Sequence, residues 1–390
     1  MDALVVGAGP AGLMAATALA RAGRRVVVTE AKPSLGRKLL MAGKSGLNLT
    51  KDEPFDRFLS HYHESAPRLR KSLAAFDPNM VQAWAKELGQ EVFVGSSGRV
   101  FPKVMKASPL LRAWMGQLAD LGVEFRTRWR WLGWSEGRWL FDTPDGAAEI
   151  APNVSVLALG GASWPRLGSD GTWFAALRKA GISVTSFQPA NAAIAVDWSA
   201  HMTCHFGEPV KGTALSAGPV TERGEFVVSS RGLEGGGVYA LSRQVRQGLL
   251  LTLDLAPDLS AGQVAQRLAA QKSKDSIGNR LRKALNLTPV KLALLMEFGR
   301  PLPDGAALPG LVKALPIRHS GLRPLVEAIS TAGGVAWAAV DDNLMLKDMP
   351  GTFVAGEMLD WEAPTGGYLL TGCLATGLRA GEKAALWHAG

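Results

Sequence analysis

The stretch ALVVGAGPAGLMAATALARAGRRVVVTEA, residues 3–31, decides the fold class of this chain. Its short apolar run at 3–6 predicts a buried strand, and a helix is predicted from Pro10 to Ala22. A second strand is predicted from Arg24 to Thr29, with Glu30 directly after it. This order predicts the first unit of an α/β fold built on a parallel sheet.

The turn between the first strand and the helix carries the spacing G-x-G-x-x-G at Gly7, Gly9 and Gly12. In this pattern the first glycine permits a tight turn, the second lets a pyrophosphate approach the backbone, and the third lets helix and strand pack closely. The unpaired N–H groups at the helix start bind phosphates. Glu30 lies 18 residues after Gly12, where its carboxylate can accept hydrogen bonds from ribose hydroxyls. We therefore predict a dinucleotide site that also includes Pro10, Ala11 and Ala31.

An acid at the end of the second strand favours a free ribose over a 2′-phosphate, so the predicted ligand is FAD or NAD rather than NADP. This first unit leaves FAD and NAD equally open. The segment GRKLLMAGKSGLNLT, residues 36–50, favours FAD, because an NAD domain normally continues here with another strand and helix. A long basic glycine loop suits a cofactor that extends beyond the pyrophosphate. Its expected contacts are Arg37, Lys38, Gly43, Lys44, Ser45 and Asn48.

Two later segments contribute further predicted contacts. Residues 122–134 and 137–146 alternate like strands and predict a β-meander on the sheet, with Trp131 among the cofactor contacts. Residues 153–181 predict a buried strand that ends at Gly160 and Gly161, followed by a helix. A strand that ends in two glycines can bring its backbone close to a bound molecule.

The C-terminal segment predicts the other end of the same site. A strand from Thr352 to Ala355 ends at Gly356 and Glu357, which are expected to hydrogen-bond a ribityl chain. The turn formed by Thr365, Gly366 and Gly367 then opens a helix from about Tyr368 to His388. Its N-terminus would face the N1–C2=O edge of an isoalloxazine, where negative charge accumulates on reduction. Two glycine turns at opposite ends of one extended cofactor indicate FAD.

These motifs, in this order, resemble those of the YhiN/BaiN-like flavoproteins, a family often labelled aminoacetone-oxidase-type FAD proteins. The resemblance implies bound FAD and a Rossmann-type domain interrupted by an inserted domain. Activities proposed in the family range from amine oxidation to reduction of steroid enones. Many members carry Arg-Cys where this chain has Gly46-Leu47, so no role of those two residues is carried over. The motifs are GAGPAG with Glu30, GRKLLMAGKSGLNLT, GRVFPKVMKAS (98–108), LALGGASWPRLGSDG (157–171), STAGGV (330–335) and GEMLDWEAPTGGY (356–368).

The predicted architecture is a discontinuous Rossmann-type, two-dinucleotide-binding FAD domain, residues 1–190 and 320–390, around an insert at 191–319. Strands dominate the insert, and a helical part is predicted at about 258–300. The insert is expected to cap a substrate crevice lined by the loops at 98–108, 231–239 and 361–368. The glycine-rich loop at 231–242 lacks a following β-α unit and a ribose acid, so we do not predict NAD binding there.

Composition narrows the function classes. The formal net charge is +9, from 43 Lys and Arg against 34 Asp and Glu, but no Lys/Arg run is long enough to indicate a nucleic-acid site, so neither a nucleic-acid partner nor a membrane is expected. Cys204 and Cys373 form neither a disulfide framework nor a C-x-x-C pair, and HMTCHF (201–206) lacks a fourth zinc ligand. No signal peptide or long apolar span is evident, so a soluble cytoplasmic protein without a metal is expected.

The functional prediction is an FAD-dependent oxidoreductase that transfers hydride at flavin N5 to or from a small-molecule substrate. A nicotinamide that docks transiently and an amine substrate both remain open as hydride donors. The sequence singles out no catalytic residue. One alternative is a flavin-containing binding or regulatory protein with a nucleic-acid or protein partner and little turnover. Another is an NAD protein without flavin.

Overall fold

The computed structural model describes residues 1–44, 46–272, 274–303 and 305–388. The chain forms two compact units, one of Met1–Gln188 with Ser330–Gly390 and one of Pro189–Ile329. Each unit has its own hydrophobic core of buried side chains.

The first stretch of the chain contributes alternating strands and helices. Its strands are β1 (Ala3–Val6), β2 (Val26–Glu30), β3 (Thr50–Lys51), β4 (Val92–Val94), β5 (Arg99–Pro102), β6 (Glu124–Thr127), β7 (Arg130–Ser135), β8 (Arg138–Thr143), β9 (Gly146–Ile150), β10 (Val154–Leu157) and β11 (Val184–Ala190). Its helices are α1 (Pro10–Arg21), α2 (Arg37–Ala42), α3 (Phe55–Ser60), α4 (Ala66–Ala75), α5 (Pro78–Glu87), α6 (Ala107–Asp120) and α7 (Trp173–Lys179).

The second unit and the C-terminal return contribute the remaining elements. The strands are β12 (Ile194–Ala195), β13 (Pro209–Val210), β14 (Ala214–Ala217), β15 (Val220–Glu222), β16 (Phe226–Ser229), β17 (Gly232–Glu234), β18 (Leu251–Asp254), β19 (Leu315–Pro316), β20 (Gly321–Leu322), β21 (Ser330–Val335) and β22 (Thr352–Val354). The helices are α8 (Gly236–Tyr239), α9 (Ser242–Arg246), α10 (Ala261–Ala269), α11 (Ile277–Leu285), α12 (Pro289–Gly299), α13 (Ala307–Lys313) and α14 (Tyr368–Ala385).

A parallel sheet in the order β22-β10-β1-β2-β6 forms the centre of the first unit. Ala3 of β1 pairs with Val26 on one side and with Val154 on the other, both in parallel register. All four residues of β1 and of β10 are buried, as expected for strands covered on both faces. The sheet confirms the predicted α/β fold class.

Two local predictions in this unit need correction. The segment at 36–50 is not a loop throughout, because Gly36 (φ +60°) leads into α2. The residues of α2 are strong helix formers, and Leu39 anchors the helix in the core. The predicted meander divides between two sheets. β6 joins the edge of the parallel sheet, whereas β7, β8 and β9 form an antiparallel sheet of their own.

The second unit contains antiparallel sheets in the orders β13-β16-β17-β12-β20 and β15-β14-β18-β19. The chain returns to the first unit at Ser330 rather than at the predicted residue 320. The reason is that β20, which follows the predicted boundary, pairs antiparallel with β12 of the insert. Several strands of two or three residues, such as β13 and β19, are too short for an alternating pattern to reveal them.

Among the described helices, none is both long and apolar enough to span a membrane.

Candidate cofactor site

A cavity in the first unit lies where the parallel strands β1, β2, β10 and β22 end. Its volume is about 800 Å³, including space open to solvent. Ligands of open α/β sheets bind beyond the carboxyl ends of the strands. The lining residues are Val6, Gly7, Ala8, Gly9, Pro10, Ala11, Thr29, Glu30, Ala31, Gly36, Arg37, Lys38, Leu39, Trp129, Trp131, Ala158, Leu159, Gly160, Leu167, Gly168, Ser169, Ala355, Gly356, Glu357 and Cys373.

The three glycines of the first turn have different environments. Gly7 has φ +105°, and a Cβ there would lie 2.3 Å from the carbonyl oxygen of Ala158. A Cβ at Gly12 would lie 1.8 Å from the carbonyl oxygen of Gly7, so this glycine permits close helix–strand packing. A Cβ at Gly9 would meet no described atom within 4 Å. Because Gly9 lines the cavity, its missing side chain leaves room for a ligand.

The first turn of α1 offers unpaired backbone donors to the same space. Gly9 is the N-cap residue with an extended backbone, and no side chain caps the helix within the described chain. The first helical hydrogen bond runs from the N–H of Leu13 to the oxygen of Gly9. The N–H groups before it, with the positive end of the helix dipole, form an anion-binding position.

Glu30 stands at the end of β2 with its carboxylate held by backbone donors. Oε1 accepts from the N–H of Lys32 at 2.8 Å, and Oε2 accepts from the N–H of Ala8 at 3.2 Å. Burial raises the pKa of the Glu30 carboxyl, although these two hydrogen bonds oppose the rise. Further donors, such as ribose hydroxyls, would stabilise the ionised form at this position.

An ion pair forms another wall of the cavity. Lys38 Nζ of α2 donates to Glu357 Oε2 at 2.8 Å and to Ser163 Oγ at 2.9 Å. Glu357 Oε1 in turn accepts from the N–H of Thr331 at 2.9 Å, and Thr331 Oγ1 accepts from the N–H of Ala162. This network ties α2 to the segments after β10 and β22. Glu357, predicted to bind a ribityl chain, therefore already has two partners within the protein.

Aromatic side chains and unpaired polar atoms complete the lining. Trp131 packs edge-on against Trp134 at 4.7 Å and is 7% exposed. Within the described chain, the buried atoms Trp131 Nε1, Ser169 Oγ and Arg37 Nε have no hydrogen-bond partner. Their residues line the cavity, so these three polar groups are candidates to pair with a polar ligand. With Gly9 and Glu30, they fit an extended dinucleotide cofactor such as FAD.

The structure brings together most of the contacts predicted from the two ends of the chain. The predicted residues that line the cavity are Gly7, Gly9, Pro10, Ala11, Glu30, Ala31, Arg37, Lys38, Trp131, Gly160, Gly356 and Glu357. Predicted residues outside the described lining are Gly12, Gly43, Lys44, Asn48, Gly161, Thr365, Gly366, Gly367 and Tyr368. Ser45, also predicted, lies outside the described residues.

Several of the predicted residues outside the lining make close contacts within the protein instead. A Cβ at Gly43 would lie 2.6 Å from the Ala107 side chain, and one at Gly367 would lie 2.4 Å from the Thr50 backbone. Tyr368 is buried, and its hydroxyl donates to Glu53 Oε1 at 2.5 Å. These contacts hold the segment after α2 and the start of α14 in place. Asn48 Oδ1 is buried and unpaired within the described chain.

Several residues that line the cavity were not predicted from the sequence. Trp129 shares the strand alternation of Trp131, and Gly168 and Ser169 belong to a glycine turn that the sequence already displays, so a signal existed for all three. Cys373 of α14 gave no such signal. Burial raises the pKa of its thiol to about 12, so the thiol is protonated at neutral pH and is a poor nucleophile.

Comparisons with known proteins agree with this fold. Residues 1–383 match the family described as HI0933-like protein Rossmann domain. The 3-dehydro-bile acid delta(4,6)-reductase of Clostridium scindens is 28% identical over 98% of both chains. The ribosomal RNA dihydrouridine synthase of Escherichia coli is 24% identical over 94% of both chains. A flavocytochrome c3 fumarate reductase structure superposes with a TM-score of 0.55 and 18% identity, covering 99% of this chain and 78% of that one.

Proposed function

This chain belongs to the HI0933-like Rossmann-domain family, an FAD-binding family, and is an FAD-dependent oxidoreductase; on this premise we propose that it reduces a carbon–carbon double bond conjugated to a carbonyl group. One observation carries the proposal. Both full-length relatives described above are named for adding hydrogen, one to a 3-dehydro-bile acid and the other to uridine in ribosomal RNA. In both substrates the double bond is conjugated to a carbonyl.

The chain's own residues would bind and orient the cofactor. The N–H groups at the start of α1 would hold the pyrophosphate, and the glycine turn at Gly7–Gly9 would let it approach. Glu30 would accept hydrogen bonds from the ribose hydroxyls. Lys38 and Glu357 would keep the cavity wall in place through their ion pair. Bound FAD supplies hydride transfer at its N5 atom.

A nicotinamide would donate the hydride by docking transiently. Within the described ranges, the parallel nucleotide-binding sheet occurs once, in the first unit. The glycine-rich segment at 231–239 instead forms β17, which pairs antiparallel with β12 and β16, and the short helix α8. It therefore lacks the β-α-β arrangement that holds a dinucleotide. The nicotinamide would approach the flavin only for the duration of hydride transfer.

Two substrate classes contain the required bond, namely small enones and uracil bases within an RNA. The names of the two relatives divide between these classes. We favour the uracil base because more than half of the formal net charge of this chain falls within residues 267–283 of the second unit, described in the next subsection.

Anaerobic stopped-flow spectroscopy of the FAD-loaded protein tests the proposal. We expect NADH or NADPH to bleach the visible flavin band rapidly, and a conjugated substrate to restore it without oxygen. The acceptors to compare are a 3-keto-4-ene steroid, a uridine-containing ribosomal RNA and a saturated ketone as control. Bleaching by an amine but by neither nicotinamide would overturn the reductase assignment in favour of amine oxidation. A flavin that no reductant bleaches would support the binding-protein alternative.

A further inference from the structure

The positive charge of the chain is unevenly distributed. Residues 267–283 contain six basic side chains, Arg267, Lys272, Lys274, Arg280, Arg282 and Lys283, and one acidic side chain, Asp275. This segment therefore carries a formal charge of +5, more than half of the net +9 of the whole chain. The basic residues are dispersed over two helices and a loop, which is why no continuous basic run marks them in the sequence. We call these six side chains the basic face.

The helix packing exposes the basic face. α10 buries Val264 and Leu268 in the core of the second unit, and α11 buries Leu281, Ala284 and Leu285. The remaining sides of both helices are accessible, and Arg267, Lys272, Lys274, Arg282 and Lys283 are exposed. Arg280 is half-buried and donates to the carbonyl oxygen of Leu268 at 3.3 Å. This bond joins the end of α10 to α11, so the two helices that carry these charges are in contact.

Most of these charges lack a carboxylate partner. Lys283 pairs with Asp275 at 2.8 Å. Among the residues that the structure describes, no carboxylate lies within ion-pair distance of Arg267, Lys272, Lys274 or Arg282. Protein surfaces usually intersperse charges of both signs, because uncompensated like charges repel. A group of four unpaired cations therefore indicates an anionic partner.

The composition of the surface favours nucleic acid over a lipid surface. An interfacial helix needs large apolar side chains beside its basic ones. Between 261 and 285, the exposed large hydrophobic side chain within the described residues is Ile277, at 37% exposure. The same stretch contains no Phe, Trp or Tyr, so it offers no platform for stacking unpaired bases. Lys and Arg without aromatics suit the phosphates of a base-paired nucleic acid.

We propose that the basic face is the surface on which a folded RNA docks, held through its phosphates; the choice of RNA rests on the proposed reduction of a uracil base. The contacts are independent of sequence, because phosphates carry no base identity. The basic face therefore supplies affinity for the RNA and orients it, and the uracil base of the RNA undergoes the reaction.

The proposal is tested by fluorescence anisotropy of the FAD-loaded protein with a labelled RNA hairpin. The hairpin has about 16 base pairs, a length that double-stranded RNA-binding domains span. The test variant is R267Q/K272Q/K274Q/R282Q. The matched control K86Q/R112Q/R128Q/K179Q removes the same charge from exposed residues of the first unit. We expect the test variant to bind the hairpin at least about tenfold more weakly, with a shallower dependence on salt, and the control to bind like wild type.

Three results would overturn the proposal: equal losses in both variants, no hairpin binding by the wild-type protein, or tighter binding to phosphatidylserine vesicles than to the hairpin. Flavin content and the melting temperature verify that each variant is folded and loaded. Nicotinamide-dependent bleaching, measured on the same samples, separates this proposal from the proposed function. Normal flavin bleaching without hairpin binding would contradict the docking surface and leave the proposed reductase activity unaffected. Hairpin binding without any flavin bleaching would contradict the reductase assignment and support the docking surface.

Discussion

At the scale of single residues, Gly7 and Gly9 have the same identity for different reasons. Gly7 is required by the fold, since its φ of +105° disfavours side chains and a Cβ would overlap the oxygen of Ala158. Gly9 has an ordinary φ of −82° and free space around its missing Cβ. Protein packing among the described residues does not require glycine at position 9, and we propose that the ligand does.

The variants G9A and G7A separate these two roles. We expect G9A to fold with the stability of wild type and to bind FAD at least about tenfold more weakly, because its methyl group enters the ligand space. We expect G7A to lose about 1–3 kcal/mol of unfolding free energy from the strained backbone. Denaturant unfolding of the apoproteins and FAD titration by fluorescence measure both effects. Full FAD affinity in G9A would contradict the assignment of this turn to the cofactor.

Glu30 gives the FAD affinity a predictable dependence on pH. Burial raises the pKa of this carboxyl in the protein without ligand, and ribose hydroxyls would donate to its ionised form. Protonation removes that acceptor, so affinity should fall over the range of decreasing pH that crosses the raised pKa. We expect E30Q to bind FAD weakly, with little change over this range. A parallel pH dependence in wild type and E30Q would assign the effect to another group.

At the scale of elements, the contact between α1 and α14 explains the glycines of the C-terminal helix. A Cβ at Gly377 would lie 2.3 Å from the carbonyl oxygen of Ala11, and one at Gly381 would lie 2.5 Å from that of Ala15. The two helices therefore approach backbone to backbone. This approach brings Cys373 of α14 and Gly9 at the start of α1 to the same cavity.

The substitutions G377A and G116A compare a packed helical glycine with an exposed one. We expect G377A to destabilise the protein by about 1–3 kcal/mol, because a methyl group forces the two helices apart. A Cβ at Gly116 of α6 would meet no described atom within 4 Å. G116A should therefore stabilise the protein by about 0.5–1 kcal/mol through helix propensity. Urea unfolding of both variants provides the comparison, and an unchanged midpoint in G377A would refute the close contact.

At the scale of the whole molecule, the chain forms two units with separate cores. The core of the second unit includes Phe226, Leu253, Leu281 and Leu294, none of which is exposed. Its two antiparallel sheets pair strands from within residues 189–329. Apolar burial is the main source of folding free energy, so a unit with its own core can fold independently.

The fragment 189–329, expressed alone, should therefore fold cooperatively and bind no FAD. Circular dichroism during heating would report a single transition, and fluorescence titration would report FAD binding. In the same fragment, L294A should lower the unfolding free energy by about 2–5 kcal/mol, since it leaves a cavity in the core. A fragment without a cooperative transition, or one insensitive to L294A, would contradict the independence of this unit.

The sequence alone determined the parts of this protein that depend on local spacing. The fold class, FAD as cofactor and the oxidoreductase activity were predicted from the sequence and are confirmed. Gly7, Gly9, Gly12 and Glu30 lie within one β-α-β unit, so their spacing predicts how they meet. The family resemblance rested on motifs from both ends of the chain and is confirmed by the match over residues 1–383.

The tertiary structure decided what depends on distant contacts. The cavity receives Cys373 because the strand order β22-β10-β1-β2-β6 brings distant segments to one edge. No hydrophobic periodicity in the sequence predicts that order of strands. The return of the chain at Ser330 follows from the pairing of β20 with β12, two short strands far apart in sequence. The basic face likewise exists only after α10 and α11 bury their apolar sides and leave the charges between them in solvent.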